Sequence, residues 1–199
     1  YALVRHMRAM VRRGDLGKVR LIKAEFAHGF HADAADADNP RVRWRYDPAL
    51  AGISAQFADC GIHALHMASF IAGQEPVELS ADFVSCLPTR MLEDDAMVSF
   101  KMNGGAVLRL WTSSVAIGRM HGLNMQVVGE KGGLRWAQEW PNQLYWTPLN
   151  GRTEILGLGC LGDGPGIESH LCHPVDEGLL VDRHQSGDER ALVADHDSL

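Results

Sequence analysis

Apolar positions along the chain form two helical stripes followed by a series of alternating runs. In residues 2–13, Leu3, Val4, Met7, Met10 and Val11 recur at i, i+1, i+4, i+7 and i+8, one face at helical period. Arg12 and Arg13 fall in the last turn, where the helix dipole favours cations, and Gly14 suits the left-handed stop. Gly14-Asp15-Leu16-Gly17 then turns into a strand predicted over 18–28. Residues 31–52 are rich in Ala, Asp, Asn and Pro and read as a long excursion that holds Trp44 and Arg45. Excursions of this length are usually functional or disordered. Helical pattern returns over 55–72, with Phe57, Ile62, Leu65, Met67 and Phe70 as its apolar mass and Gly73 as its stop.

Strand patterns dominate the next stretch. Runs at 77–86, 95–102 and 106–113 alternate, and Asn103-Gly104-Gly105 between the last two is a hairpin turn. Runs at 124–129 and 133–138 flank Glu130-Lys131-Gly132, a second hairpin. Pro141-Asn142 marks a turn before a last strand at 143–147. Hairpins imply antiparallel pairing, and two helices cover one face of a sheet. The fold class is α+β, an open, mainly antiparallel sheet with helices on one face. From Gly157 onward Gly, Asp, Ser and His become frequent and the apolar period fades. This divides the chain into an α+β domain at 1–156 and an irregular or divergent tail at 157–199.

Composition narrows the class without naming a ligand. The 199 residues are 46% hydrophobic and 22% charged, which excludes wholesale disorder. With 19 Lys and Arg against 25 Asp and Glu, the formal charge of -6 argues against a nucleic-acid binder. The cysteines at 60, 86, 160 and 172 include no C-x-x-C pair and read as reduced thiols. The longest apolar stretch, 64–72, is too short to span a bilayer. With no targeting segment in view, the expected location is the cytoplasm, with no membrane partner. The chain runs from Tyr1 straight into helical pattern, as a piece of a longer protein would.

The strongest candidate chemistry is Asp59-Cys60-Gly61-Ile62-His63. Four residues apart on a helix, Asp59 and His63 share a face. A carboxylate beside an imidazole orients it and supports proton transfer near neutral pH. The same spacing also fits a helix-capping Asp with an unrelated buried His. His28-x-x-His31, His63-x-x-His66 and His170-Leu171-Cys172-His173 suggest metal ligands, but no carboxylate or thiol arrangement supports them at useful spacing, so no metal is expected. Gly157-x-Gly159-x-x-Gly162 matches a dinucleotide fingerprint, with Asp182 at about the right distance beyond it. A true fingerprint opens a helix, and Asp163-Gly164-Pro165-Gly166 cannot propagate one. That segment reads as a loop.

The order of motifs carries a resemblance. Gly14-Asp15-Leu16-Gly17-Lys18-Val19 follows a helix, then come Trp44-Arg45, Ala51-Gly52, Asp59-x-Gly61-x-His63 and Gly129-Glu130-Lys131-Gly132-Gly133-Leu134. Together, over residues 1 to about 150, these resemble the second domain of the Gfo/Idh/MocA family of NAD(P)-dependent sugar and cyclitol oxidoreductases. The resemblance implies a C-terminal, dihydrodipicolinate-reductase-like α+β domain that holds substrate and builds oligomers, beside an N-terminal Rossmann domain absent from this chain. It implies that His63 exchanges the proton of the substrate hydroxyl or carbonyl and that Asp59 positions substrate. It places Trp44 and Arg45 near the substrate and cofactor cleft, although a Trp packed on the sheet with a solvated Arg fits them equally. NAD or NADP would be bound mainly by the absent domain. A lysine of that domain completes the family site, and Lys131, in a hairpin, is not its equivalent.

The pattern departs from the family in two places. The glycine run that often precedes the aspartate is here Gly52-Ile53-Ser54-Ala55, and the role of Gln56 is open. After His173-Pro174 the family's long amphipathic helix is replaced by polar residues. Two functions follow from these observations. One is the substrate-binding and oligomerisation part of an oxidoreductase acting on a sugar, polyol or cyclitol. It would need a Rossmann domain in cis or in trans and would form a homo-oligomer through the open sheet face. The other is a non-catalytic dimerisation or scaffold module, a remnant of such an enzyme.

Overall fold

A computed structural model describes residues 1–120 and 122–157. Helix α1, Ala2–Arg13, buries Leu3, Val4, Met7 and Met10, the stripe expected from the sequence. Gly14 closes it at φ 80°, donating its N–H to the Val11 carbonyl at 3.0 Å. Strand β1, Val19–Ala27, follows.

The excursion is a chain of short helical turns rather than an irregular loop. A 3-10 turn at Ala34–Asp38 leads to α2, Pro40–Arg43, a second 3-10 turn at Trp44–Tyr46, and α3, Pro48–Ala51. Asn39 and Asp47 cap the two short helices, accepting from Arg41 N at 3.0 Å and Ala49 N at 2.9 Å. Pro40 and Pro48 fill the first helical positions, where no N–H is needed. The capping residue followed by proline was readable in both places.

The second helical stretch is two structures joined. A π-helical turn, Phe57–Gly61, runs into α4, Ile62–Ala72, and Gly73 ends it at φ 63°. The residues α4 buries are Ala64, Ala68, Ile71 and Ala72, while Ile62 is exposed. Small residues let the helix lie close to the sheet, so the bulky Leu65, Met67 and Phe70 flank the contact instead of filling it.

The remaining strands are β2 (Pro76–Val84), β3 (Asp95–Met102), β4 (Val107–Ser113), β5 (Gly122–Gly129), β6 (Gly132–Ala137), β7 (Gln143–Pro148) and β8 (Glu154–Gly157). The sequence did not signal β8. The eight strands form one sheet in the order β2-β3-β4-β1-β5-β6-β7-β8. β1 lies parallel to β4, with Leu21 opposite Val107, and every other pairing is antiparallel.

One face carries the core. Ile22, Ala24, Leu108, Leu110, Met125, Val127, Leu134, Trp136 and Leu144 are buried there, under α1 and α4. The strict alternation of Ala96, Val98, Phe100 and Met102 in β3 shows the period of two. On the opposite face Leu21, Lys23, Met97, Arg109, Gln126 and Arg135 are exposed. The Gly129 of the second hairpin is needed for contact: a Cβ there would collide with the Leu16 carbonyl oxygen, which is how the 14–17 turn docks on β5. Among the described residues no helix is long and apolar enough to cross a membrane.

Candidate active site

The candidate residues gather where β1 and β4 end side by side, at Ala27 and Ser113. Gln56 ties the incoming helix to that place. Its Nε2 donates to Thr112 Oγ1 at 3.0 Å, and Thr112 Oγ1 donates to the Phe26 carbonyl at 2.9 Å. Three residues on three elements are thereby joined in a buried relay, which gives Gln56 the role its sequence context left open.

The π turn then presents Asp59 outward. Arg45 Nη1 donates to Asp59 Oδ2, and the two side chains are 34% and 54% exposed. The Arg45 guanidinium also lies over the Trp44 ring, 4.8 Å from its centroid. Trp44 donates through Nε1 to the Arg41 carbonyl at 3.0 Å and is 42% exposed. An ion pair this exposed contributes only about 0–1 kcal/mol. A ligand hydroxyl can therefore displace Arg45 from Asp59 at small cost.

His63 stands on the first turn of α4, exposed, with its ring tilted against Phe26 at 6.3 Å between centroids. Among the described residues no hydrogen bond joins it to Asp59. The structure thus brings Trp44, Arg45 and Asp59 into one cluster and places His63 next to it along the helix. Gly61 between them has a steric reason: a Cβ there would lie 2.5 Å from the Phe57 ring, which folds back over the π turn. Lys131 is in the β5–β6 turn, its N–H on the Leu16 carbonyl, at the other end of β1 from this cluster.

Several further residues underlie the site: Cys60, His28 and His31, read from the sequence only as a thiol and a metal-ligand spacing, and Tyr46, Arg90, Glu93, Asp94 and Ser114, which sequence reasoning did not single out. Cys60 Sγ lies 3.7 Å from His28 Nε2. Burial, and secondarily the Asp59 charge, pushes the Cys60 thiol up to about 11, so at neutral pH it is a protonated thiol and not a nucleophile. His31 meets the rings of His28 at 5.7 Å and Tyr46 at 6.3 Å, and burial lowers its pKa against the opposing pull of Asp36. Arg90 donates to the His31 carbonyl, stacks on Tyr46 at 4.1 Å and pairs with Asp94 at 3.0 Å. Tyr46 Oη and Ser114 Oγ share a hydrogen bond of 2.7 Å, and burial raises the phenol pKa. Glu93, also buried, reaches the residues before the π turn. The one available signal was the run Glu93-Asp94-Asp95 ahead of β3, more acid than a strand start needs. Among the described residues no three His, Cys, Asp or Glu side chains gather as a metal site. His170, His173 and the glycines 159 and 162 lie outside the described residues, as do Cys160, Cys172 and the tail from 158.

A family model for the GFO/IDH/MocA C-terminal domain matches residues 4–135. The chain belongs to this family. Among individual proteins, it is 34% identical over 178 residues to the uncharacterized oxidoreductase YfiI of Bacillus subtilis (strain 168), covering 87% of this chain and 45% of YfiI. An inositol dehydrogenase homolog from Azotobacter vinelandii, solved in complex with NAD+, superposes with a TM-score of 0.76 at 32% identity, covering 83% of this chain and 46% of that one. The Azotobacter vinelandii inositol dehydrogenase homolog with NADH and myo-inositol gives 0.71 at 30% identity, covering 83% and 45%. The chain spans less than half the length of each of these relatives.

Proposed function

We propose that this chain supplies the substrate side of an NAD(P)-dependent oxidoreductase acting on a sugar, polyol or cyclitol. The observation that carries this reading is the exposed pair Asp59–Arg45 beside the exposed His63, at the end of parallel strands in a fold shared with a relative complexed with NADH and myo-inositol. Asp59 accepts a substrate hydroxyl in place of Arg45. His63 takes the proton of the reacting hydroxyl, or returns it to the carbonyl in the reverse direction.

When bound, the nicotinamide accepts or donates the hydride. The donor set fits its ring end: the exposed Trp44 indole, with Arg45 stacked on it, offers a flat aromatic surface beside Asp59. The pyrophosphate end is another matter. β1 and β4 are parallel but are separated in sequence by α4, β2 and β3, so they are not a strand-helix-strand phosphate cradle. Dinucleotide binding is therefore assigned mainly to a Rossmann domain outside these residues.

The same reading gives the open sheet face to a second copy of the chain. Leu21 at 40% and Met97 at 52% exposure lie among Lys23, Glu25, Arg109 and Arg135, the mixed composition of a protein interface. Light scattering on the purified chain tests this part: a monomer refutes it.

The catalytic part is tested in the polypeptide that joins this chain to a nucleotide-binding domain, with NAD+ or NADP+ and a panel of polyols, hexoses and cyclitols. His63→Asn lowers kcat by about 10²–10⁴-fold, the range of general acid–base catalysis. Unchanged turnover in that variant refutes the role of His63, and no turnover of any panel compound by the unsubstituted polypeptide favours a scaffold.

A further inference from the structure

We propose that Glu93 is a positioning residue of this site, its buried carboxylate setting where the helix that bears Asp59 and His63 begins. The proposal rests on the reading of Asp59 and His63 given above. A helix start leaves four backbone N–H groups without intrahelical partners, and a local Ser, Thr, Asp or Asn normally covers one of them. Here the acceptors come largely from a residue 36 to 38 positions away. Ala55 N donates to both Glu93 carboxylate oxygens, at 3.0 and 3.1 Å, and Phe57 N donates to Oε1 at 3.0 Å. Gln56 N donates to the Glu93 carbonyl at 3.4 Å. Ser54 Oγ donates to Glu93 Oε1 at 2.7 Å and itself accepts from Ala58 N at 3.2 Å, completing the set.

The distance along the chain is what gives the bond a functional consequence. A local cap fixes a helix to its own approach, whereas a remote one fixes it to the rest of the fold. Glu93 sits in the segment between β2 and β3 and is 5% exposed, where charge-assisted hydrogen bonds are strong. Its neighbour Asp94 receives Ser114 N on its carbonyl at 2.8 Å, which anchors the segment to the end of β4. β4 pairs with β1, and β1 carries Phe26, the ring under His63. Glu93 thus closes a loop of bonds from the helix start through β4 and β1 back to His63, and the opposing Gln56 relay fixes the same turn from its other side.

The test is nuclear magnetic resonance on the isotope-labelled full chain. In Glu93→Gln, the Ala55 and Phe57 amide protons move upfield as the charged acceptor is lost. The His63 ring protons move away from the shift imposed by the Phe26 ring. In Ser54→Ala the carboxylate stays on the backbone, the Ala58 amide moves, and the His63 ring does not. The Trp136 indole N–H, bonded to the Pro141 carbonyl at 3.2 Å on the far part of the sheet, reports that the fold is kept. Glu93→Asp, which keeps the charge on a shorter arm, also displaces the His63 ring. Unmoved His63 protons in a folded Glu93→Gln or Glu93→Asp overturn the proposal.

Hydrogen exchange on the unmodified chain needs no variant to fold. The Ala55 and Phe57 amides exchange as slowly as those of β3 and β4, because exposing them requires withdrawing the 85–94 segment. Exchange at the fast rate of a frayed helix end overturns the proposal. Failure of the catalytic reading is distinct: it shows as undiminished turnover in His63→Asn and leaves these shifts as they are.

Discussion

Replacing Asp94 by Asn removes one charge from a buried network and keeps its shape, so its cost can be worked bond by bond. Asp94 is 0% exposed and Arg90, its partner at 3.0 Å, has a side chain 4% exposed. Asp94 Oδ1 accepts from Cys86 N at 2.8 Å, and Oδ2 accepts from Leu87 N at 3.2 Å as well as from Arg90 Nη1. An asparagine oxygen can serve Cys86 or the Oδ2 pair, not both, and the amide nitrogen turns a donor against a donor. One part-buried backbone N–H then loses its partner, which costs at most about 1–3 kcal/mol. The Arg90 guanidinium retains only the His31 carbonyl and the Tyr46 ring. Breaking one half of a buried pair costs about 3–5 kcal/mol, a figure that includes such orphaned groups. Against a total stability of about 5–15 kcal/mol, this is a large fraction. With a urea slope of about 3 kcal/mol/M, the midpoint falls by about 1–2 M. Equilibrium urea unfolding followed by far-ultraviolet circular dichroism measures it. Arg90→Met added to Asp94→Asn restores part of the loss, because the unpaired charge goes with it. A single-variant loss under about 1 kcal/mol, or simple additivity in the double variant, refutes the argument that the pair is electrostatically isolated from water.

Two further outcomes follow from the site's surroundings. With its thiol held up to about 11, Cys60 alkylates with iodoacetamide more slowly at pH 8 than the exposed Cys86, as read by peptide mass spectrometry; faster labelling of Cys60 refutes its burial. The same shift has a sign for stability: a free thiol near 9.0 loses its proton in the unfolded chain first, so this contribution to stability is present below that pH and is lost as pH rises from about 9 to 11. Gly61→Ala drives a methyl into the Phe57 ring and destabilises by about 1–3 kcal/mol in thermal or urea unfolding. Phe57→Ala in the same chain removes that clash, so the two substitutions cost less together than the sum of each alone; additivity would show that the ring is not the obstacle.

Much of the fold was legible because its signals are local. The stripe of α1, the Gly14 stop, both hairpin turns and the alternation of β3 each follow from residues within one element. The parallel pairing of β1 with β4 was not legible, since residues 86 positions apart choose each other through the whole sheet. β8 was missed because Glu154–Gly157 is only four residues long, too short to show a period, and pairing with β7 across the turn is what makes it a strand. In the site, Asp59, His63, Trp44 and Arg45 stand out by motif, but the pairing of Arg45 with Asp59 does not, being a contact across 14 positions through a capped excursion. The supports were hidden for a similar reason. Glu93 and Asp94 look like surface acids before a strand, and their burial is decided by donors on the helix start, on Arg90 and on the backbone of 86 and 87.

The energetic contrast between these two layers bears on how the site would work. The Arg45–Asp59 pair is open to solvent and worth little, while the groups beneath it are buried and each anchored by several bonds. On the proposed function, a substrate hydroxyl exchanging with Arg45 on Asp59 would therefore change the outer layer without moving the frame. Both sides of that outer pair hang on adjacent residues of one segment: Glu93 holds the helix with Asp59, and Asp94, through Arg90, holds the His31 carbonyl and the Tyr46 ring next to Arg45. Substitutions at 93 and 94 therefore act on different partners of the Arg45–Asp59 pair. Glu93→Gln should displace Asp59 and His63 while leaving Tyr46 in place, and Asp94→Asn should loosen Tyr46 and Arg45 while leaving the helix start bonded. If the two variants gave the same pattern of perturbed resonances, the segment would be acting as one rigid block, and the separate support of Asp59 and Arg45 would be wrong.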